Sequence, residues 1–155
     1  MNGSIARLGA QVGQELGVSA WHAVTQDGID AFAVVTGDRQ FIHVDPARAA
    51  AETPFGGTIA HGFLTLSLLS AMAKEAVPSS REQTLGVNYG LDRVRFLAPV
   101  PSGARVRGRF TLAECSPRSD TEARLRYAVT VEIEGGGKPA LAADWIVLAT
   151  FGRPA

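Results

Sequence analysis

The chain has 155 residues, 46% hydrophobic and 19% charged, enough for one ordinary globular domain, residues 1–155, that closes a core without disulfides or metal. Fifteen basic and fifteen acidic residues cancel to a formal net charge of zero, which removes the strongest electrostatic argument for nucleic acid or an anionic membrane as partner. Cys115 is the single cysteine, and one thiol with three histidines offers no zinc-ligand spacing, so neither a disulfide framework nor a metal cofactor is expected and a reducing cytoplasm is the natural compartment.

In chain order, the opening MNGSIARLGAQVGQELG is too polar for a signal peptide, and no stretch approaches the ~20 apolar residues of a membrane span. Thr25 and Asp27 precede Ile29, Ala31, Phe32, Ala33 and Val35, a short apolar helix with an N-cap candidate that should stop at Gly37. Asp45 followed by Pro46 predicts another helix over 45–52, with His43 just before it. From Ile59 to about Ala76, the residues Ile59, Phe63, Leu66, Leu69 and Ala73 recur at helical spacing, and Leu64 and Leu68 add a second apolar face. A helix apolar on most sides must be surrounded by protein.

Strand alternation follows. Val106, Phe110 and Leu112 alternate with Arg105, Arg107, Arg109 and Thr111, and Leu125, Tyr127, Val129, Val131 and Ile133 alternate with polar neighbours. Residues 140–151 are apolar at both parities and read as a strand covered on both sides. Turn residues at 99–103, 116–120 and 135–137 predict a mainly antiparallel, hairpin-connected sheet. Between 87 and 97 the apolar parity slips from odd (Val87, Tyr89, Leu91) to even (Val94, Phe96), which predicts a bulge near Asp92-Arg93. Helices first and strands second give an α+β class.

The stretch TGDRQFIHVDP, residues 36–46, sets Asp38 and His43 five residues apart in a connection between helices, where folding alone requires neither. A lone D-x4-H is more often a turn residue and a half-buried polar side chain than a reacting pair, because short motifs recur by chance. Here Gly37, Asp38 and His43 are followed by His61-Gly62 at the opening of the apolar helix. Together they resemble the G-D-x-N-P-x-H and H-G motifs of the MaoC-like (R)-specific enoyl-CoA hydratases. Gln40 and Phe41 replace the Asn and Pro, wording similar to the branch resembling nodulation protein N, and the likeness extends from about residue 12 through NYGLDRVRF (88–96) to the closing strands.

The resemblance implies a hot-dog fold, an antiparallel sheet wrapped around a long central helix, and a hydro-lyase that adds water to a trans-2-enoyl thioester. In that reading Asp38 is the base, His43 orients the water or returns a proton, the Gly62 amide receives charge on the thioester oxygen, and Ser70, eight residues beyond Gly62, touches the site. Packing readings stand beside these: Gly62 as relief for helix–sheet contact, Ser70 as a small polar residue inside a helix, and His61 as a polar anchor. The expected partners are an acyl-CoA or acyl-carrier thioester and a second copy of the chain, with no cofactor. A thioesterase and a non-catalytic acyl-thioester binder are the rival functions. Arg93, Arg95, Arg105, Arg107 and Arg109 invite a phosphate-binding reading, but a solvated strand face explains them equally well.

Overall fold

The computed structural model describes residues 3–78, 80 and 82–152. In chain order the elements are α1 (Gly3–Gly9), β1 (Glu15–Val18), β2 (His22–Ala23), α2 (Gln26–Thr36), α3 (Phe41–Val44), α4 (Pro46–Glu52), α5 (Gly62–Ser67), α6 (Leu69–Ala76), β3 (Gln83–Phe96), β4 (Arg105–Pro117), β5 (Glu122–Ile133) and β6 (Leu141–Phe151). The sheet is antiparallel with order β1-β4-β5-β6-β3, and β2 pairs with β4 beyond β1. Among the described residues no helix is long and apolar enough to cross a membrane.

Strand alternation sets the inner face. Val106, Phe110 and Leu112 of β4 share it with Leu125, Tyr127, Val129 and Val131 of β5 and with Leu141, Ala143, Trp145, Val147, Ala149 and Phe151 of β6. A register shift between Leu112 and Glu114 turns Glu114 outward beside Arg126 and Cys115 inward beside Leu125. This bulge lets β4 run to Pro117, into the segment expected to be a turn. The even positions of β6 are half-buried rather than covered, apart from Asp144.

The central helix lies against this inner face through Thr65, Leu69, Met72 and Ala76, all buried. Two glycines make room for it. A β-carbon on Gly17 of β1 would stand 2.2 Å from the Ala76 carbonyl oxygen, and one on Gly108 of β4 would stand 3.0 Å from the Met72 sulfur. The sheet is therefore thinned where the helix crosses it, giving the hot-dog arrangement that the resemblance implied.

Three expectations about the central helix need correction. The helix opens at Gly62 rather than Ile59, because the backbone of Ile59 and Ala60 is engaged elsewhere: Ile59 bridges Pro101, and the Ala60 N–H donates to the Val100 carbonyl at 2.8 Å. It is divided at Leu68 into α5 and α6 rather than running as one regular rod. It is also less enclosed than its composition suggests, since Phe63 is 67% exposed and Leu64, Leu66 and Leu68 are only half-buried. The elements α1, β1 and β2 were not anticipated; β1 and β2 have four and two residues, too few to show a period.

The predicted irregularity in β3 is present, with register shifts between Asp92 and Arg95 and also between Asn88 and Gly90 and between Gln83 and Leu85. The first of these shifts lies where charged residues of the two strands meet. Asp92 stands opposite Asp144 of β6, and facing like charges destabilise a strand pair. Arg93, at φ 51°, folds its guanidinium onto Asp144, with Nε 2.8 Å from Oδ2, and Arg126 approaches the same oxygen at 3.4 Å.

Candidate active site

Three short elements bring the motif together. Thr25 caps α2 through the Gly28 amide, and Gly37 ends it at φ 76°, a left-handed conformation that costs glycine little. Asp38 follows in an exposed turn, its Oδ1 accepting from the Gln40 amide at 3.4 Å. His43 lies within α3, a single turn that ends where Asp45 caps α4 through the Arg48 amide at 3.0 Å.

His43 is 7% exposed and its Nδ1 lies 2.7 Å from the Ile59 carbonyl oxygen. A carbonyl can only accept, so Nδ1 carries the proton and Nε2 keeps a lone pair. The Ile59 N–H in turn donates to the Ile42 carbonyl at 3.0 Å, fastening the segment before α5 to α3. Gln26 closes the frame: its amide donates to the His43 carbonyl at 2.7 Å, and its Oε1 accepts from the buried Thr58 hydroxyl. Gln26, Thr58 and the Ile59 carbonyl have no sequence signature, because their roles depend on contacts 17, 32 and 16 residues apart.

A carboxylate oxygen of Asp38 and ring nitrogens of His43 and His61 all lie within 4.8 Å of one another. The local spacing in sequence did not suggest this three-donor cluster. His43 Nδ1 is committed to Ile59 and His61 Nε2 to the Asp38 carbonyl oxygen at 2.9 Å. The two imidazoles stack at 3.8 Å with an interplanar angle of 25°, so they meet face to face rather than with their nitrogen-bearing edges turned toward one ion. The arrangement suits hydrogen bonding to one small polar group better than chelation.

Gly62 opens α5, where the first N–H groups have no intrahelical acceptor, and its N-cap His61 makes no side-chain capping bond. Gly62 and His43 both line a cavity of about 250 Å³ with Thr65, Phe96 and Val100. A β-carbon on Gly62 would meet the Phe96 ring at 2.9 Å. The packing reading of Gly62 is therefore real, and Gly62→Ala would disturb Phe96 as well as anything approaching the amide. Ser70 is not gathered into this site. It is exposed on α6 and lines a separate cavity of about 400 Å³ with Ala73, Tyr127 and Trp145.

Four of the five arginines form ion pairs on the outer sheet face: Arg93 with Asp144, Arg105 with Glu134, Arg107 with Glu132, and Arg109 with both Glu132 and Glu15. Arg95 donates to the Val94 carbonyl at 2.8 Å. The solvated-face reading holds for the paired four.

The MaoC-like domain profile matches residues 7–133, and the chain belongs to that family, the MaoC-like dehydratases. It is 60% identical over 148 residues to nodulation protein N of Rhizobium leguminosarum bv. viciae, covering 96% of this chain and 92% of that one. It is 46% identical over 144 residues to 3-hydroxyacyl-thioester dehydratase Z of Mycobacterium tuberculosis (strain ATCC 25618 / H37Rv), covering 93% and 94%. Among solved structures, the unliganded R-hydratase PhaJ1 from Pseudomonas aeruginosa superposes with a TM-score of 0.69 at 26% identity, covering 92% of this chain and 83% of that one.

Burial holds the His43 imidazole below its ordinary value of 6.5, and His61 lowers it further, against the raising effects of the Ile59 hydrogen bond and Asp38. An NMR titration should give His43 a midpoint below 6.5. The unfolded chain then binds a proton where the folded chain does not, so this group's stabilising effect is complete above pH 6.5 and is lost as pH falls through the folded midpoint. A His43 midpoint above 6.5 would contradict the buried, neutral assignment.

Proposed function

We propose that the protein is a hydro-lyase that interconverts a trans-2-enoyl thioester and its (R)-3-hydroxyacyl thioester, with Asp38 and His43 activating the water. The observation that carries this reading is the fixed tautomer of His43: a lone pair on Nε2, in a ring anchored at Nδ1 by the Ile59 carbonyl and stacked on His61, with a carboxylate oxygen of Asp38 within 4.8 Å of a ring nitrogen. Two acceptors side by side can hold both hydrogens of one water. The likeness to a 3-hydroxyacyl-thioester dehydratase and to an R-hydratase supports the substrate class.

In the forward step Asp38 takes one proton while the water oxygen bonds to C3, and His43 holds the other hydrogen. The C2–C3 π electrons move toward the thioester oxygen. The Gly62 N–H stabilises that oxygen from the opening turn of the helix, an interaction that in other enzymes contributes about 2.7–4 kcal/mol. Collapse of the enolate then takes the proton back at C2. The apolar lining of the Gly62 cavity suits the acyl part next to the thioester. Ser70, in the other cavity, is assigned contact with the distal acyl chain rather than with the water.

The working form is proposed to be a homodimer. β3 is a 14-residue edge strand whose outward and edge positions expose Leu85, Val87 and Tyr89, and Phe63 and Phe96 are exposed nearby and in edge contact with each other. A long apolar edge invites a second strand. Sedimentation velocity should give twice the mass of the 16.3 kDa chain, and Val87→Lys should shift it toward monomer. A fully active monomer would contradict this part of the reading.

Incubation with crotonyl-CoA tests the activity. Hydration removes the enoyl absorbance without releasing thiol, whereas a thioesterase releases thiol. Asp38→Asn and His43→Ala are each expected to lower kcat by at least ~100-fold while leaving the fold intact. Near-wild-type turnover in either variant contradicts the mechanism.

A further inference from the structure

His61 has no role in the chemistry above, yet its surroundings are unlike those of a helix-start anchor. It occupies the N-cap of α5 without making a side-chain capping bond. The side chain is 3% exposed, with its Nε2–H donating to the Asp38 carbonyl at 2.9 Å and one ring face stacked on His43 at 3.8 Å. Phe32 of α2 contacts the same ring, centroid to centroid at 5.0 Å. Its Nδ1 is buried and has no hydrogen-bond partner among the described residues.

We infer that His61 is a positioning residue for the Asp38 and His43 pair: its Nε2–H tethers the loop carrying the carboxylate, and its ring fixes the rotation of the His43 imidazole. The inference rests on the hydration reading for its catalytic consequence. The other hydrogen bonds of Asp38 are local and long, from its own amide to the Thr36 hydroxyl and from the Gln40 amide to its Oδ1, both 3.4 Å. His61 therefore supplies the bond that joins this exposed turn to the central helix. On His43, the Ile59 bond fixes one end of the ring, and the stacked neighbour restricts turning about that bond. An apolar ring would fill the same volume without burying a lone pair, but it would lack the donor.

His61→Phe keeps the stack and removes the donor. His61→Gln places an amide N–H near the position of Nε2, whereas the shorter His61→Asn matches Nδ1. Each variant is checked for folding by circular dichroism and melting, then measured with crotonyl-CoA and by amide hydrogen exchange over residues 37–41. In His61→Phe, kcat should fall about 10–100-fold with KM nearly unchanged, since a displacement of about 1 Å can cost ~10²-fold. Exchange over 37–41 should accelerate. His61→Gln should recover most of both losses, and His61→Asn should not; where the Phe variant does not fold, Asn serves as the donor-less comparison. Wild-type kcat in a folded donor-less variant, unchanged exchange, or a folded Gln variant no better than Phe would each overturn the inference. If the wild-type protein hydrates no enoyl thioester, the functional reading fails separately, and exchange alone decides the tether.

Discussion

The hydrogen bond from His43 Nδ1 to the Ile59 carbonyl joins the Asp38 connection to the segment that leads into the central helix. It fixes the imidazole tautomer, and it explains why Ile59 is extended although its side chain fits a helical period. The same segment donates to Ile42 and Val100, so α3, the start of α5 and the turn before β4 meet at one place. The sheet contributes by accepting α6 closely at Gly17 and Gly108, while Gly62 of α5 and His43 face a common cavity.

The two faces of the sheet are stabilised differently. The inner face is apolar and closes on Met72 and Leu69. The outer face is charged, and its arginines are mostly paired across strands with glutamates and Asp144 rather than free for an anionic ligand. Glu114 shows the strength of this local field: Ser116, Arg124 and Arg126 bring its carboxyl down to about 2. Such exposed pairs add little stability individually. The edge strand β3 differs in exposing Leu85, Val87 and Tyr89, and among the described residues it pairs only with β6.

Much of this was legible in the sequence where information is local. The caps at Thr25, Gly37 and Asp45, the alternation in β4 and β5, and the parity slip near Arg93 all follow from neighbouring residues. What was not legible depends on partners far along the chain. Gln26 and Thr58 frame His43 through side-chain bonds that no spacing records, and His61 reaches Asp38 across 23 residues. Counting along the helix matched Ser70 to the family motif but could not tell which cavity it would line. Nor could it show that Phe96 packs over Gly62.

The central claim is that one water is held between Asp38 and His43 and adds to one face of the substrate. Hydration of crotonyl-CoA in D2O, followed by stereochemical analysis of the product, tests it most directly. An acid–base pair on a single face predicts (R)-3-hydroxybutyryl-CoA with one deuterium at C2, added on the same face as the hydroxyl. The (S) product, deuterium on the opposite face, or cleavage to free thiol would contradict the account.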